Sequence, residues 1–180
     1  GIVAGSHGPE GLAGIAPQAS LLAQQIYSRR ADGTGIAAWD SDLIQALERI
    51  YALGNQQRIA AVNLSLAGDE LYDSRAACDA GHPALAEAIA LLRSAGIAVV
   101  AAAGNDGSAS SLPAPACLTG VISVGASCTQ ADAGFCTEGT DSVAAFSNAP
   151  PWLDLLAPGT EITSSIPGRG FAAFSGTSMA

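Results

Sequence analysis

Three short stretches carry residue types that can do chemistry. Ser178 stands in Gly176-Thr177-Ser178-Met179-Ala180, where small neighbours leave its hydroxyl room. A tight turn leading into helix-compatible residues would set free backbone N–H groups beside that hydroxyl. Such donors can hold a developing oxyanion while the serine oxygen acts as a nucleophile. Taken alone, the stretch is better explained by an ordinary N-cap serine. Asn105 follows Gly104 at the end of the apolar run Ala101-Ala102-Ala103. Its amide can supply the side-chain half of an oxyanion hole, although an asparagine after a glycine, seen in isolation, is more commonly a plain turn residue. Ser65, Leu66, Ala67 and Gly68 leave a strand as an extended small-residue edge. An edge of that kind can pair with a peptide by strand addition, or simply run into a loop.

Chemistry at these places requires elements that bring them together. Residues 19–28 read as a strand after the turn at 14–18. Residues 39–55 read as an amphipathic helix, with Ser41 as N-cap and Leu43, Leu47, Ile50 and Tyr51 or Leu53 along one face. Residues 58–66 read as a mostly apolar strand. Residues 82–96 read as a second helix, with Pro83 in its first turn and Gly96 at its end. Residues 97–105 and 120–126 are apolar runs of the kind that form strands buried on both faces. Shorter strands are expected at 143–146, 153–156, 161–165 and 171–174. The alternation predicts an α/β fold, a mostly parallel sheet with helices on both faces. Function in such sheets gathers at the carboxyl ends of the strands, which is where the three stretches lie.

Bulk properties narrow the classes of function. The 180 residues suit one domain, 1–180, with a sizeable core; 49% are apolar and 13% charged. The net charge is −9, and no basic patch or aromatic-interleaved run appears, which argues against nucleic acid as a partner. No apolar run approaches the ~18 residues of a membrane span. Four cysteines, at 78, 117, 128 and 136, form no Cys-x-x-Cys pair and no zinc spacing with the two histidines. An even count suits two disulfides and an oxidising compartment: secreted, periplasmic or cell-surface. Of the three pairings possible, Cys78–Cys117 and Cys128–Cys136 are expected, the second closing a short loop rich in Gly, Asp and Thr. Four buried thiols are the alternative.

In their order along the chain the stretches resemble the subtilisin-like serine proteases, the subtilase family. Residues 176–180 match that family's Gly-Thr-Ser-Met-Ala nucleophile motif. The run Ala101-Ala102-Ala103-Gly104-Asn105-Asp106 matches its oxyanion motif, and Ser65-Leu66-Ala67-Gly68 its substrate edge. Residues 14–17, 146–148, 155–159 and 168–180 match further segments in family order. The resemblance implies a serine endopeptidase acting on protein or peptide substrates. Ser178 would be the nucleophile and Asn105 the oxyanion donor. Residues 65–68 and Ala102, Ala103 and Gly104 would form the two walls of the pocket for the substrate side chain before the cleaved bond. No cofactor is implied, although calcium is common in the family; Glu10 and nearby carbonyls are the one candidate site and a poor one.

The same resemblance shows what the stretch lacks. The subtilase triad runs Asp, His, Ser along the chain, and Gly1-Ile2-Val3-Ala4-Gly5 resembles the residues just after the family's histidine. The histidine and aspartate are therefore expected upstream of Gly1. His7 fails on spacing, and Pro9 would disturb the helix that holds the imidazole. His82, before Pro83 at a helix start, reads as a surface cap. Asp32, Asp40 and Asp42 fall in the wrong order for the triad. The expected fold is thus truncated at both ends, inactive by itself, with uncovered apolar surface that favours self-association. Two other serine or glycine-rich classes fit less well. A dinucleotide-binding fingerprint would need a strand before residues 1–14, and an α/β-hydrolase would need Gly-x-Ser-x-Gly with its Asp and His after the serine. A binding module that keeps the fold without a triad is the remaining rival.

Overall fold

The computed structural model describes residues 1–5, 13–54, 56–131, 134–168 and 170–180; His7 and Glu10 lie outside them. Its centre is a four-stranded parallel sheet, ordered β3 (Ala61–Leu64), β5 (Ala98–Ala102), β7 (Val121–Ser127) and β8 (Leu155–Pro158). Leu64 pairs with Ala101, Ala102 with Val124, and Ser127 with Pro158. Two short antiparallel pairs, β1 (Tyr27–Arg29) with β2 (Ile36–Ala38) and β4 (Leu71–Tyr72) with β6 (Leu112–Pro113), stand outside it. A hairpin of β9 (Ile162–Ile166) and β10 (Gly170–Phe174) leads to the last turn.

Helix α1 (Asp40–Gly54) buries Leu43, Leu47 and Ile50, three of the residues whose spacing predicts its inner face. It starts one residue before Ser41, so Ser41 lies in the first turn rather than at the cap. Helix α3 (Pro83–Ser94) has Pro83 at its start and buries Leu85, Ala88, Ile89 and Leu92. Gly96 follows its last turn with φ +74°, a left-handed conformation that glycine adopts without penalty. These side chains meet Val62, Leu64, Val99 and Ala101 in one core. A short helix, α2 (Arg75–Gly81), precedes α3 and is capped by Ser74, whose Oγ accepts the Ala77 N–H.

Two expected strands are corrected. Only the end of 19–28 is strand; Leu21 and Leu22 are 70% and 48% exposed. Strand propensity needs a neighbour to pair and pack with, and no described strand pairs with residues 19–26. Residues 143–146 form a single bridge, Val143 to Ser127, and then turn. The backbone there is drawn instead into bonds with residues 107 and 126.

Both expected disulfides form, Cys78–Cys117 and Cys128–Cys136. The first ties α2 to the segment after β6. Beside it, Arg75 donates to the Leu118 carbonyl at 2.9 Å and to Asp154 Oδ2 at 2.8 Å, with its guanidinium over the Trp152 ring. Partial burial raises the Asp154 pKa, but the Ser123 N–H and hydroxyl and the Arg75 charge outweigh it and hold the carboxyl below its usual range. Replacing Cys78 and Cys117 with alanine releases a crosslink spanning 39 residues. The expected loss is about 4 kcal/mol on the chain-entropy relation. Calorimetry should show this as a fall in Tm of roughly 10 °C.

Candidate active site

The parallel register sets the carboxyl ends of β3 and β5 side by side, and the last turn folds onto them. Ser178 is half-buried in that turn, which is closed by the Met179 N–H on the Gly176 carbonyl at 3.0 Å. From below, the Gly176 N–H donates to the Gly159 carbonyl at 2.8 Å, and Ser175 Oγ accepts the Glu161 N–H at 3.0 Å. The nucleophile candidate therefore sits on a braced turn rather than a free end.

Ser178 and Ser65 hold each other reciprocally. Ser178 Oγ donates to the Ser65 carbonyl at 3.3 Å, while Ser65 Oγ donates to the Ser178 carbonyl at 3.1 Å. Asn63 Nδ2 donates to Ser65 Oγ at 3.0 Å and fixes that hydroxyl. Ser65, Ala67 and Gly68 are exposed beyond edge strand β3, whereas Leu66 turns its side chain toward the main core. What the 65–68 edge offers a ligand is therefore mostly backbone. Gly68 is pinned by its N–H on the Ala114 carbonyl at 2.8 Å.

Asn105 reaches the same turn. Its Oδ1 accepts the Thr177 N–H at 2.9 Å and the Thr177 hydroxyl at 3.0 Å. Thr177 Oγ1 in turn accepts the Gly104 N–H at 3.1 Å. With Oδ1 occupied by two donors, the amide is oriented, and Nδ2 has no partner among the described residues. An exposed, oriented N–H₂ one residue from the serine is what an oxyanion donor requires. Gly104 has φ +93°, and a Cβ on it would stand 2.5 Å from Asn148 Nδ2 and 2.9 Å from Pro113 Cγ, so only glycine fits this approach.

The structure brings Ser178, Asn105, Gly104 and Ser65 together as expected. It modifies the second pocket wall: Ala102, Ala103 and Gly104 are all buried. The Ala103 N–H is bound to the Val124 carbonyl, and its own carbonyl to Asn148, so this segment backs the site rather than standing open. Sequence reasoning missed the parts played by Thr177 and Asn63. Thr177 lies in the quoted motif, but nothing in the sequence showed its hydroxyl bridging two segments 73 residues apart. His82 stands at the N-cap position of α3 as expected, yet its side chain makes no cap bond and is half-buried rather than on the surface. Its Nδ1 lies 2.9 Å from Asp40 Oδ2 and its Nε2 3.2 Å from the Tyr72 hydroxyl, which commits both ring nitrogens away from Ser178. Among the described residues no three acidic, histidine or cysteine side chains gather as a metal site, and no helix is long and apolar enough to cross a membrane.

Comparison with known proteins agrees with this arrangement. The chain is 36% identical over 170 residues to the thermophilic serine proteinase of Bacillus sp. (strain AK1), covering 94% of this chain and 35% of that protein. It is 33% identical to subtilisin E of Bacillus subtilis (strain 168) along its whole length, covering 40% of that protein. It thus spans less than half of either. Among solved structures, the protease domain of PatA superposes with a TM-score of 0.71 at 32% identity, over 99% of this chain and 57% of that one. Sphericase, at 23% identity and a TM-score of 0.74 over 95% of this chain and 53% of that one, shares the fold. The sequence pattern of the Subtilase family matches residues 1–180 from end to end, and the chain belongs to that family.

Proposed function

We propose that the protein is a serine endopeptidase in which Ser178 is the nucleophile. The observation that carries this is the Thr177-oriented Asn105 amide beside the Ser178 turn. A peptide lies along the 65–68 edge, with the buried 102–104 segment behind it. Ser178 Oγ forms a bond to the scissile carbonyl carbon and gives its proton to a base. The carbonyl oxygen takes the negative charge between Asn105 Nδ2 and the Ser178 N–H. Collapse breaks the C–N bond, and the amine leaves with the proton returned by the base. Water then repeats the sequence on the acyl-enzyme and restores the hydroxyl.

The base is a histidine, oriented by an aspartate, in the part of the protein that precedes Gly1. Two observations support this: the family relatives are more than twice as long, and His82 is engaged by Asp40 and Tyr72. Two disulfides support an oxidising, extracytoplasmic location. A fluorophosphonate probe tests the reading. The full-length protein should be labelled at Ser178, and the Ser178→Ala variant should not. Residues 1–180 expressed alone should stay unlabelled. A full-length protein that resists labelling would instead be a subtilase fold kept for binding.

A further inference from the structure

Asn105 is exposed and lies just beyond a strand, a place where a side chain ordinarily wanders. An oxyanion donor is effective only when it is already in position as charge develops. Thr177 holds the tip of the Asn105 amide, but the backbone that carries it must be held as well. That task falls to Asn148, a wholly buried side chain at 0% exposure that the reaction itself does not touch.

Asn148 Nδ2 donates to the Ala103 carbonyl at 2.9 Å and to Asp106 Oδ2 at 3.0 Å. Its Oδ1 accepts the Asp106 N–H at 3.1 Å and the Ser108 N–H at 2.9 Å. Its own backbone N–H donates to the Gly104 carbonyl at 3.1 Å. Both amide protons and both carbonyl lone pairs are thus used, on residues that bracket Asn105 from 103 to 108. The neighbouring backbone continues the seam: the Gly107 N–H donates to the Phe146 carbonyl and the Ala149 N–H to the Ser108 carbonyl, each at 2.8 Å. An aspartate of the same shape would bring no donors, a serine only one, and glutamine would be a methylene too long.

We infer that Asn148 is a positioning residue for the oxyanion site, acting through Asn105. The inference rests on the proposed peptidase mechanism and adds to it the residue that preorganises the donor. Asn148→Ala in the full-length protein, assayed on a peptide p-nitroanilide, should lower kcat roughly 10- to 100-fold, the scale of misplacing a catalytic group by up to 1 Å. KM should stay within about twofold, because the lost interaction is made only in the transition state. The decisive comparison is in an Asn105→Ala background. There the loss from Asn148→Ala should shrink to about twofold, because the donor it positions has gone.

Equal losses in both backgrounds would overturn the inference and leave Asn148 a general stabiliser. Asn105→Ala with unchanged kcat would overturn the inference as well, since there would be no donor to position, whereas a full-length protein that resists fluorophosphonate labelling at Ser178 would overturn the peptidase mechanism itself. Should Asn148→Ala not fold, Asp106→Ala carries the same test, since Asp106 is exposed and its carboxylate makes only one link of the seam. It should lower kcat by a smaller factor, again only while Asn105 is present, and an identical loss without Asn105 would overturn the inference equally.

Discussion

Ser178→Ala in the full-length protein is expected to lower kcat by about 10⁶, the loss established for the corresponding change in a subtilisin, while KM stays nearly unchanged. The structure explains why the effect should fall on chemistry alone. Among the described residues the hydroxyl donates one hydrogen bond, to the Ser65 carbonyl at 3.3 Å. Losing it costs at most about 1 kcal/mol of stability. The turn is held by backbone bonds from Gly176 and Met179 and by the Thr177 side chain, none of which alanine at 178 disturbs. The 65–68 edge is held from the other side, through Gly68 on Ala114, so a peptide can still dock. The measurement is kcat and KM on a peptide p-nitroanilide together with a melting curve. A variant that keeps most of its kcat would show that Ser178 is not the nucleophile. A variant with a raised KM and intact kcat would assign the serine to binding.

How much of this was legible in the sequence depends on which interactions are local. The buried strands and both long helices follow from apolar periodicity, because each is decided by neighbours within a few residues. Leu43, Leu47 and Ile50 are buried where a period of 3.6 puts them. The segment 19–26 shows the limit: its composition suits a strand, but a strand exists only if another stands beside it. The motifs at 65–68, 104–105 and 176–180 were visible because each is short and contiguous. Their assembly was legible only through family order. The groups that orient them, Thr177, Asn63 and Asn148, could not be read. Their roles are bonds across 72, 2 and 45 residues, and a hydroxyl or amide carries no sign of its partner. Asn63 illustrates the point, since even a partner two residues away depends on the strand ending at Leu64.

Asn105→Ala should lower kcat about 10²–10³-fold with little change in KM, the range established for removing a single oxyanion donor, a subtilisin asparagine among them. The direction follows from what Nδ2 can reach. In the ground state a planar carbonyl is held along the 65–68 backbone, and the amide contributes little to that hold. Only when the carbonyl carbon becomes tetrahedral does its oxygen gain the charge that an oriented N–H₂ rewards. Asn105→Asp sharpens the test. Its carboxylate can still accept the Thr177 N–H and hydroxyl, so the turn keeps its shape. It offers no donor, and its charge opposes the forming oxyanion. A loss at least as large as that of alanine, in a protein that melts normally, is therefore expected. If the aspartate variant were as active as the parent, Asn105 would serve only to anchor the Thr177 turn. The oxyanion would then depend on backbone donors alone. The two substitutions thus separate the amide's two ends: Oδ1, which builds the site, and Nδ2, which works in it.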